Sequence, residues 1–595
     1  MTFVSAVTSG GEQGKSDSDA LATDPTSLTL EQLQRITETG HLTSEQATAL
    51  ERGETATISA SQMEYLNQLG RSLDGKSPQE IEDLLSKLPP DAQASVANSL
   101  QILSNENVSA SVEGDPDVPT KGGLNLLPDK MRESLTRDDL VVNSFDVVGG
   151  SGLPSIALNG VADNQAIADI VSMGDDQYKS GSALDSALLD VGQKYLDAQV
   201  AHEQNPEHKF EYFTVDGRGT QDMAITEQIF AAVGDDKIAV DAAVNNPESG
   251  GGFVKDVLSH NWTDGGKAAS TLFDFSGGDA TVENPNDPTD VATATRTGSI
   301  MSAVGAAVST DEAWKLLSDV PQSDGQSAGQ LNPDLLQTVS RSMSPYVSDL
   351  AGSPGPNVAG FDRGEWADPT DNNQYKGSAN VFALMNTDEG AGRILTQAAI
   401  AEQLASEGRY AADPTGSDSR AELERVGRLH GLIDRGMLEA VQDQYDDKAA
   451  HAQVIYDRKE AAFTALSTMG SFGIDKLPGG EFVNLMIDSS GNSLQSAMIG
   501  KPPGGADQAA LNPPDFQRDT YNILRAVPEM PMEIRDQYGK YFDESGQLMS
   551  WNEVVKTEPD DIKLGADCAE MFEVLGGTDA DGILHAYQIV VLTDG

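Results

Sequence analysis

Residues 74–100 read DGKSPQEIEDLLSKLPPDAQASVANSL. Ser77 precedes Pro78 and stands three residues before Glu80. In that arrangement the Ser hydroxyl accepts from the amide three positions on, and the Glu carboxylate accepts from the Ser amide. Pro at the first helical position gives up only an N–H that the helix would leave unpaired. Two short amphipathic helices follow, with no reactive group between them. The stretch is frame, not site.

The same start signal recurs upstream. Thr29 with Gln32, Thr43 with Gln46 and Ser61 with Glu64 complete a set of four capping boxes, and Gly40, Gly53 and Gly75 stand where helices end. Alternate starts lie 32 residues (29 to 61) and 34 residues (43 to 77) apart, close to the period of helix–turn–helix solenoids. The aromatic and small-residue signature of tetratricopeptide repeats is missing.

Working outward, the fold expected is mainly α, multi-helical, with a helix–turn–helix or solenoid-like N-terminal region, one long helix near 419–468 and a small α+β tail. Residues 1–26, rich in Gly, Ser, Thr and Asp, are expected to be disordered. The capped repeats occupy 27–110, an irregular linker 111–155, and a helical domain with long polar loops 156–410. Within that domain helices are predicted at 183–203, 223–233, 253–260, 296–308, 310–318, 332–343 and 390–406. Residues 411–470 form a long helix or helical hairpin. There Leu423, Val426, Leu429, Ile433, Met437, Val441 and Tyr445 step by three or four into one apolar stripe. Gly427, Gly431 and Gly436 each weaken that helix by about 1 kcal/mol relative to Ala and permit close helix approach. The C-terminal region, 471–595, is expected to hold helices near 516–526 and 530–541 and a strand, HAYQIVVL, at 585–592.

The charge balance excludes several functions. The 39 Lys and Arg against 94 Asp and Glu give a net charge of −55, which repels nucleic acid and anionic membrane surfaces and favours basic partners. Adaptation to salt is the alternative reading of such a surface. The one cysteine, Cys568, is expected to be a buried small apolar residue and leaves no intramolecular disulfide. The N-terminus has no basic segment of a secretory signal, and no apolar run approaches the ~18 residues of a membrane span.

The chain carries no Walker, GxSxG or HExxH motif. His202 and His208, six residues apart with a Pro between them, are expected to be surface residues and not zinc ligands. Asp368, Asp371 and Asn372 lack the glycine and bidentate Glu of a calcium loop, and the segment beginning at Asp579 has Leu584 and Val590 at those positions. No catalytic, cofactor-binding or metal residue is assigned.

One stretch resembles a known family. SQMEYLNQLGRSLDGKSPQEI (61–81), followed by Leu88-Pro89 and LQILSN (100–105), is similar to the TPR repeat region of large actinobacterial, especially mycobacterial, proteins. NVFALMNTDEGAGRILTQAAIAEQ (380–403), GRLHGLIDRGMLEAV (427–441) and YDRKEAAFTAL (456–466) resemble its continuation, so the likeness covers most of 28–470 and fades in the tail. The resemblance implies a non-catalytic helical scaffold associated with type VII secretion, exported or envelope-linked without a cleavable signal. Small helical-hairpin proteins of Trp-x-Gly type are its implied partners. It also implies a polymorphic-toxin arrangement, in which an effector activity would sit in 471–595. The Trp-x-Gly hairpin itself is missing, and the tail carries no nuclease, NAD-glycohydrolase or ADP-ribosyltransferase motif. A cytoplasmic adaptor for basic partners remains the other reading. Type VII substrates resemble one another in a Tyr-x-x-x-Asp/Glu signal, for which Tyr456 and Glu460 are the candidates; Tyr212–Asp216 has the same spacing, and 13 Tyr yield about two such pairs by chance.

Overall fold

The computed structural model describes residues 3–110, 119–144, 155–206, 212–215, 224–353, 355, 358–367, 375–444, 448–468, 492–503, 513–576 and 581–592. Helix accounts for 69% of the structure, with two small sheets among the described residues, so the mainly α expectation holds. The chain forms two compact units, Met1–Val304 with Val320–Gly325, and Gly305–Asp319 with Gln326–Gly595.

In the first unit three of the four expected capping boxes form. Thr29, Thr43 and Ser77 accept from the amides of Gln32, Gln46 and Glu80, which reach back to the cap amides at 3.0, 2.8 and 2.8 Å. They open the helices Leu30–Thr39, Ser44–Glu51 and Pro78–Leu85. The fourth box does not form. Helix Ala60–Ser72 is capped by Ser59, whose hydroxyl accepts from Gln62 N at 3.1 Å, while Glu64 accepts from Gln68. Strand β1 (Ala56–Ile58) runs directly into Ser59, whose extended backbone makes it the first residue able to cap. β1 pairs in parallel with β2 (Val108–Ala110). A second sheet orders β3 (Val141–Ser144), β4 (Ser155–Leu158) and β5 (Tyr212–Val215), antiparallel then parallel.

The N-terminal residues correct the expectation of disorder: Phe3–Thr23 is a helix packed along Ala60–Ser72. The Gly-rich composition serves contact here. Gly10 and Gly14 lie so close to Ser61 and Tyr65 that a Cβ would meet backbone atoms at 2.7 and 2.9 Å. Asp17, fully buried, accepts from Arg35 at 2.7 and 2.8 Å and from the Tyr65 hydroxyl at 2.9 Å. Gly53 and Gly75 take the left-handed conformation expected of helix ends, whereas Gly40 does not; its hydrogen makes room for the Ser95 carbonyl of helix Pro90–Ser104.

The interior helices Ala183–Gln204, Ile225–Val233, Gly250–Ser259, Pro288–Val308, Asp311–Ser318, Pro333–Met343 and Glu389–Ala412 lie where periodicity places them, with shifted ends. In the second unit the apolar stripe runs along Ser419–Gln444, and Leu423, Val426, Leu429, Ile433, Met437 and Val441 are all buried. A second helix, Lys448–Thr468, follows; Tyr445 lies outside the described residues.

The tail departs from the α+β expectation. HAYQIVVL lies in and just past helix Gly582–Val591, and the described residues from 492 onward contain no strand, only an isolated bridge between Phe542 and Leu548. Its β-branched composition is overridden by docking on Ser419–Gln444. Gly427 receives the Ile583 carbonyl and Gly431 receives Val590. The Tyr587 hydroxyl donates to Asp434 at 2.9 Å, and Arg435 donates to the Val590 carbonyl at 3.0 Å. Phe516–Ala526, Trp551–Thr557 and Asp561–Gly576 complete this part around Tyr521, Tyr541, Trp551 and Phe572.

Candidate functional site

Helix Lys448–Thr468 carries both members of the Tyr456–Glu460 pair. Tyr456 is buried, its hydroxyl pushed up by desolvation and by the charges of Glu460 and Asp457. Glu460 is half-buried and accepts from Gln495 of helix Asn492–Ile499 at 2.9 Å. Cys568 is buried as expected, its thiol pushed up to about 12 by desolvation. His202 is half-buried with its ring 5.1 Å from Phe213. His208, Asp216, Asp368, Asp371, Asn372 and Asp579 lie outside the described residues. Among the described residues no group of three or more His, Cys, Asp or Glu could hold a metal ion, and no helix is long and apolar enough to cross a membrane.

The first unit holds a cleft of about 420 Å³. Its walls come from helices Ser44–Glu51, Lys237–Val244 and Pro288–Val308 and from the turn Asp176–Tyr178. The wall at Lys237 is fixed from beneath by Asp236. That fully buried carboxylate caps its own helix at the amides of Ile238 (3.1 Å) and Ala239 (3.2 Å) and holds the Gly181 amide at 2.9 Å. Burial raises Asp236 to about 6, these amide bonds opposing the rise. Asp185, also fully buried, lies beside it and is driven further up, by desolvation first and then by the charge of Asp236; Gln101 donates to it at 2.7 Å. The three amide donors favour the carboxylate form at Asp236, whereas at Asp185 burial and the charge of Asp236 disfavour it.

Both cations of the cleft are tied down. Lys237 Nζ donates to the carbonyls of Gly234 (2.8 Å) and Thr271 (2.5 Å) and sits 4.8 Å from the Phe275 ring centroid. Desolvation lowers its ammonium to about 8. Arg296, lowered by burial, donates to the Glu51 carbonyl at 2.8 Å. Against them stand five carboxylates, from Glu51, Asp176, Asp235, Asp274 and Asp279. The recess is polar and carries excess negative charge.

Residues 38–275 match the family model described as TPR repeat domain. A TPR repeat domain spans these residues. The domain contains the Ser44–Glu51 and Lys237–Val244 walls of the cleft and most of its carboxylates. No curated protein and no solved structure matches the chain. TPR repeats are helical protein–protein interaction modules. Sequence reading found the repeat frame through its caps, but not the cleft: its walls come from five segments between 44 and 297, and one carboxylate among 94 acids carries no local signal.

Proposed function

We propose that this chain is an interaction scaffold whose first-unit cleft takes a Lys- or Arg-bearing segment of a protein partner. The carrying observation is the four carboxylates of Glu51, Asp235, Asp274 and Asp279, beside an Asp176 already paired with Lys179, around a recess whose own two cations are engaged by backbone carbonyls. Ammonium and guanidinium groups complement such a rim, and the net charge of −55 steers basic partners toward it. Calorimetric titration with a Lys/Arg-containing peptide tests this. Asp274→Lys together with Asp279→Lys should weaken binding by about tenfold or more, the equivalent of about 1.4 kcal/mol. Binding unchanged by the double reversal would place the partner elsewhere.

The resemblance of 61–81 and 380–403 to the actinobacterial repeat proteins supports the finer reading: a scaffold working with type VII secretion, exported or envelope-linked, with small Trp-x-Gly hairpin proteins as partners. Fractionating cells with and without a working type VII translocase tests it. Translocase-dependent appearance outside the cytosol is expected, with loss of export on changing Tyr456 and Glu460. Cytosolic retention in both strains would leave an adaptor for basic partners.

A further inference from the structure

Three helices of the second unit meet at a buried polar cluster. Glu389–Ala412 contributes Gln403 and Glu407, one turn apart; Ser419–Gln444 contributes His430; Phe516–Ala526 contributes Asp519 and Asn522, one turn apart. All five side chains are buried, four of them completely. None of the four carboxylate oxygens of Glu407 and Asp519 receives a hydrogen bond from another group, and neither carboxamide nor Nε2 of His430 finds a partner. Glu407 and Asp519 are close enough to hydrogen-bond each other, and His430 Nε2 is 3.8 Å from Asp519.

Two ionised carboxylates cannot share so dry a site without a cation, because each loses its hydration and repels the other. A single proton resolves the arrangement by turning one carboxyl into a donor for its neighbour. We propose that Glu407 and Asp519 share one proton, and that this proton clamps helix Phe516–Ala526 onto helix Glu389–Ala412, so that the docking loosens as pH rises.

The neighbouring charges are committed elsewhere. On the first helix Arg409 pairs with Glu402 and Glu422; on the second, Arg425 pairs with Glu422, and Asp434 pairs with Lys459. On the third, Arg518 pairs with Asp515 and Arg525 donates to the Leu548 carbonyl. Asn492–Ile499, packed against the third helix, has no ionisable side chain. On Asp561–Gly576, Asp567 takes Lys540 and Tyr541, Glu570 takes Tyr538, and Lys563 pairs with Glu558. On Trp551–Thr557, Glu553 closes its own capping box. Among the described residues no Lys or Arg pairs with Glu407 or Asp519.

Burial, then Asp519, holds the Glu407 carboxyl well above the usual carboxylate range. Above about pH 4 the opened carboxyls release the proton that the docked pair retains. The clamp is therefore complete in acid and is lost as pH rises toward the pair's own value, by about tenfold in protection per pH unit. Hydrogen exchange on the full chain from about pH 5 to about pH 8, corrected for intrinsic rates, reads this at the Phe516–Ala526 amides. Protection should fall more steeply with pH in the wild type than in Glu407→Gln, whose amide N–H replaces the shared proton while Asp349 still titrates. A level wild type, or an equal slope in Glu407→Gln, overturns the proposal. A slope abolished by His430→Gln and kept in Glu407→Gln also overturns it, by assigning the proton to the imidazole. The infrared spectrum supplies a second readout: the buried carboxylic acid band near neutral pH, to which Asp185 also contributes, should be smaller in Glu407→Gln than in the wild type, and an equal band in both overturns the proposal.

Discussion

Ser77 and Ser59 show how far one hydroxyl's role follows from its local sequence. Ser77 accepts from the Glu80 amide at 3.2 Å, as its neighbours dictate. Ser59 and Ser61 both precede a Gln or Glu by three residues, and only Ser59 caps, because the strand before it delivers an extended backbone there. Ser77→Ala and Ser59→Ala should each cost about 1 kcal/mol of stability, and Ser61→Ala should lose no cap. Urea midpoints of the three variants check this; equal losses at 59 and 61 would contradict the observed cap. Binding of the partner should survive Ser77→Ala, since that hydroxyl does nothing beyond holding its helix.

Glycines decide how the helices dock. Gly427 and Gly431 are one turn apart on Ser419–Gln444 and receive Ile583 and Val590 of Gly582–Val591. By propensity alone Ala at either position would strengthen the helix by about 1 kcal/mol. Its Cβ would instead meet the Ile583 carbonyl or the Val590 side chain, and overpacking of that kind costs about 1–3 kcal/mol. Gly427→Ala should therefore destabilise the second unit, and hydrogen exchange should place the loss in 582–591. A stabilised Gly427→Ala variant would show that the C-terminal helix does not depend on this contact.

Across the whole molecule, burial raises several acids together. Asp236 and Asp349 stand at about 6 and Asp256 at about 7, with Asp185 and Glu407 well above the carboxylate range. A carboxyl whose folded value exceeds its unfolded one stabilises fully below about pH 4 and loses that contribution as pH rises through the folded value. Glu558, lowered to about 2 by Lys540 and Lys563, works the opposite way in stronger acid. The urea midpoint should thus fall between about pH 5 and about pH 7, and a midpoint rising over that window would contradict these burial effects. Salt should act with opposite signs on the two properties. Screening relieves the self-repulsion of a −55 chain and raises its stability, while weakening its hold on a basic partner.

The helical class, the starts at Thr29, Thr43 and Ser77, and the buried stripe from Leu423 to Val441 were legible in the sequence, because capping and 3.6-residue periodicity act within a few neighbouring residues. The N-terminal helix, the helix at 582–591, the cleft and the Glu407–Asp519 pair were not. Gly10 and Gly14 read as disorder until Ser61 and Tyr65 lie against them, and HAYQIVVL reads as strand until Gly427 and Gly431 give it a helical seat. Glu407 and Asp519 are 112 residues apart and look like any other acids among the 94, until three helices remove them from water together. Local chemistry determined which segments become helices; only tertiary packing decided which glycines are contacts and which carboxyls keep a proton, since both depend on what lies across the interface.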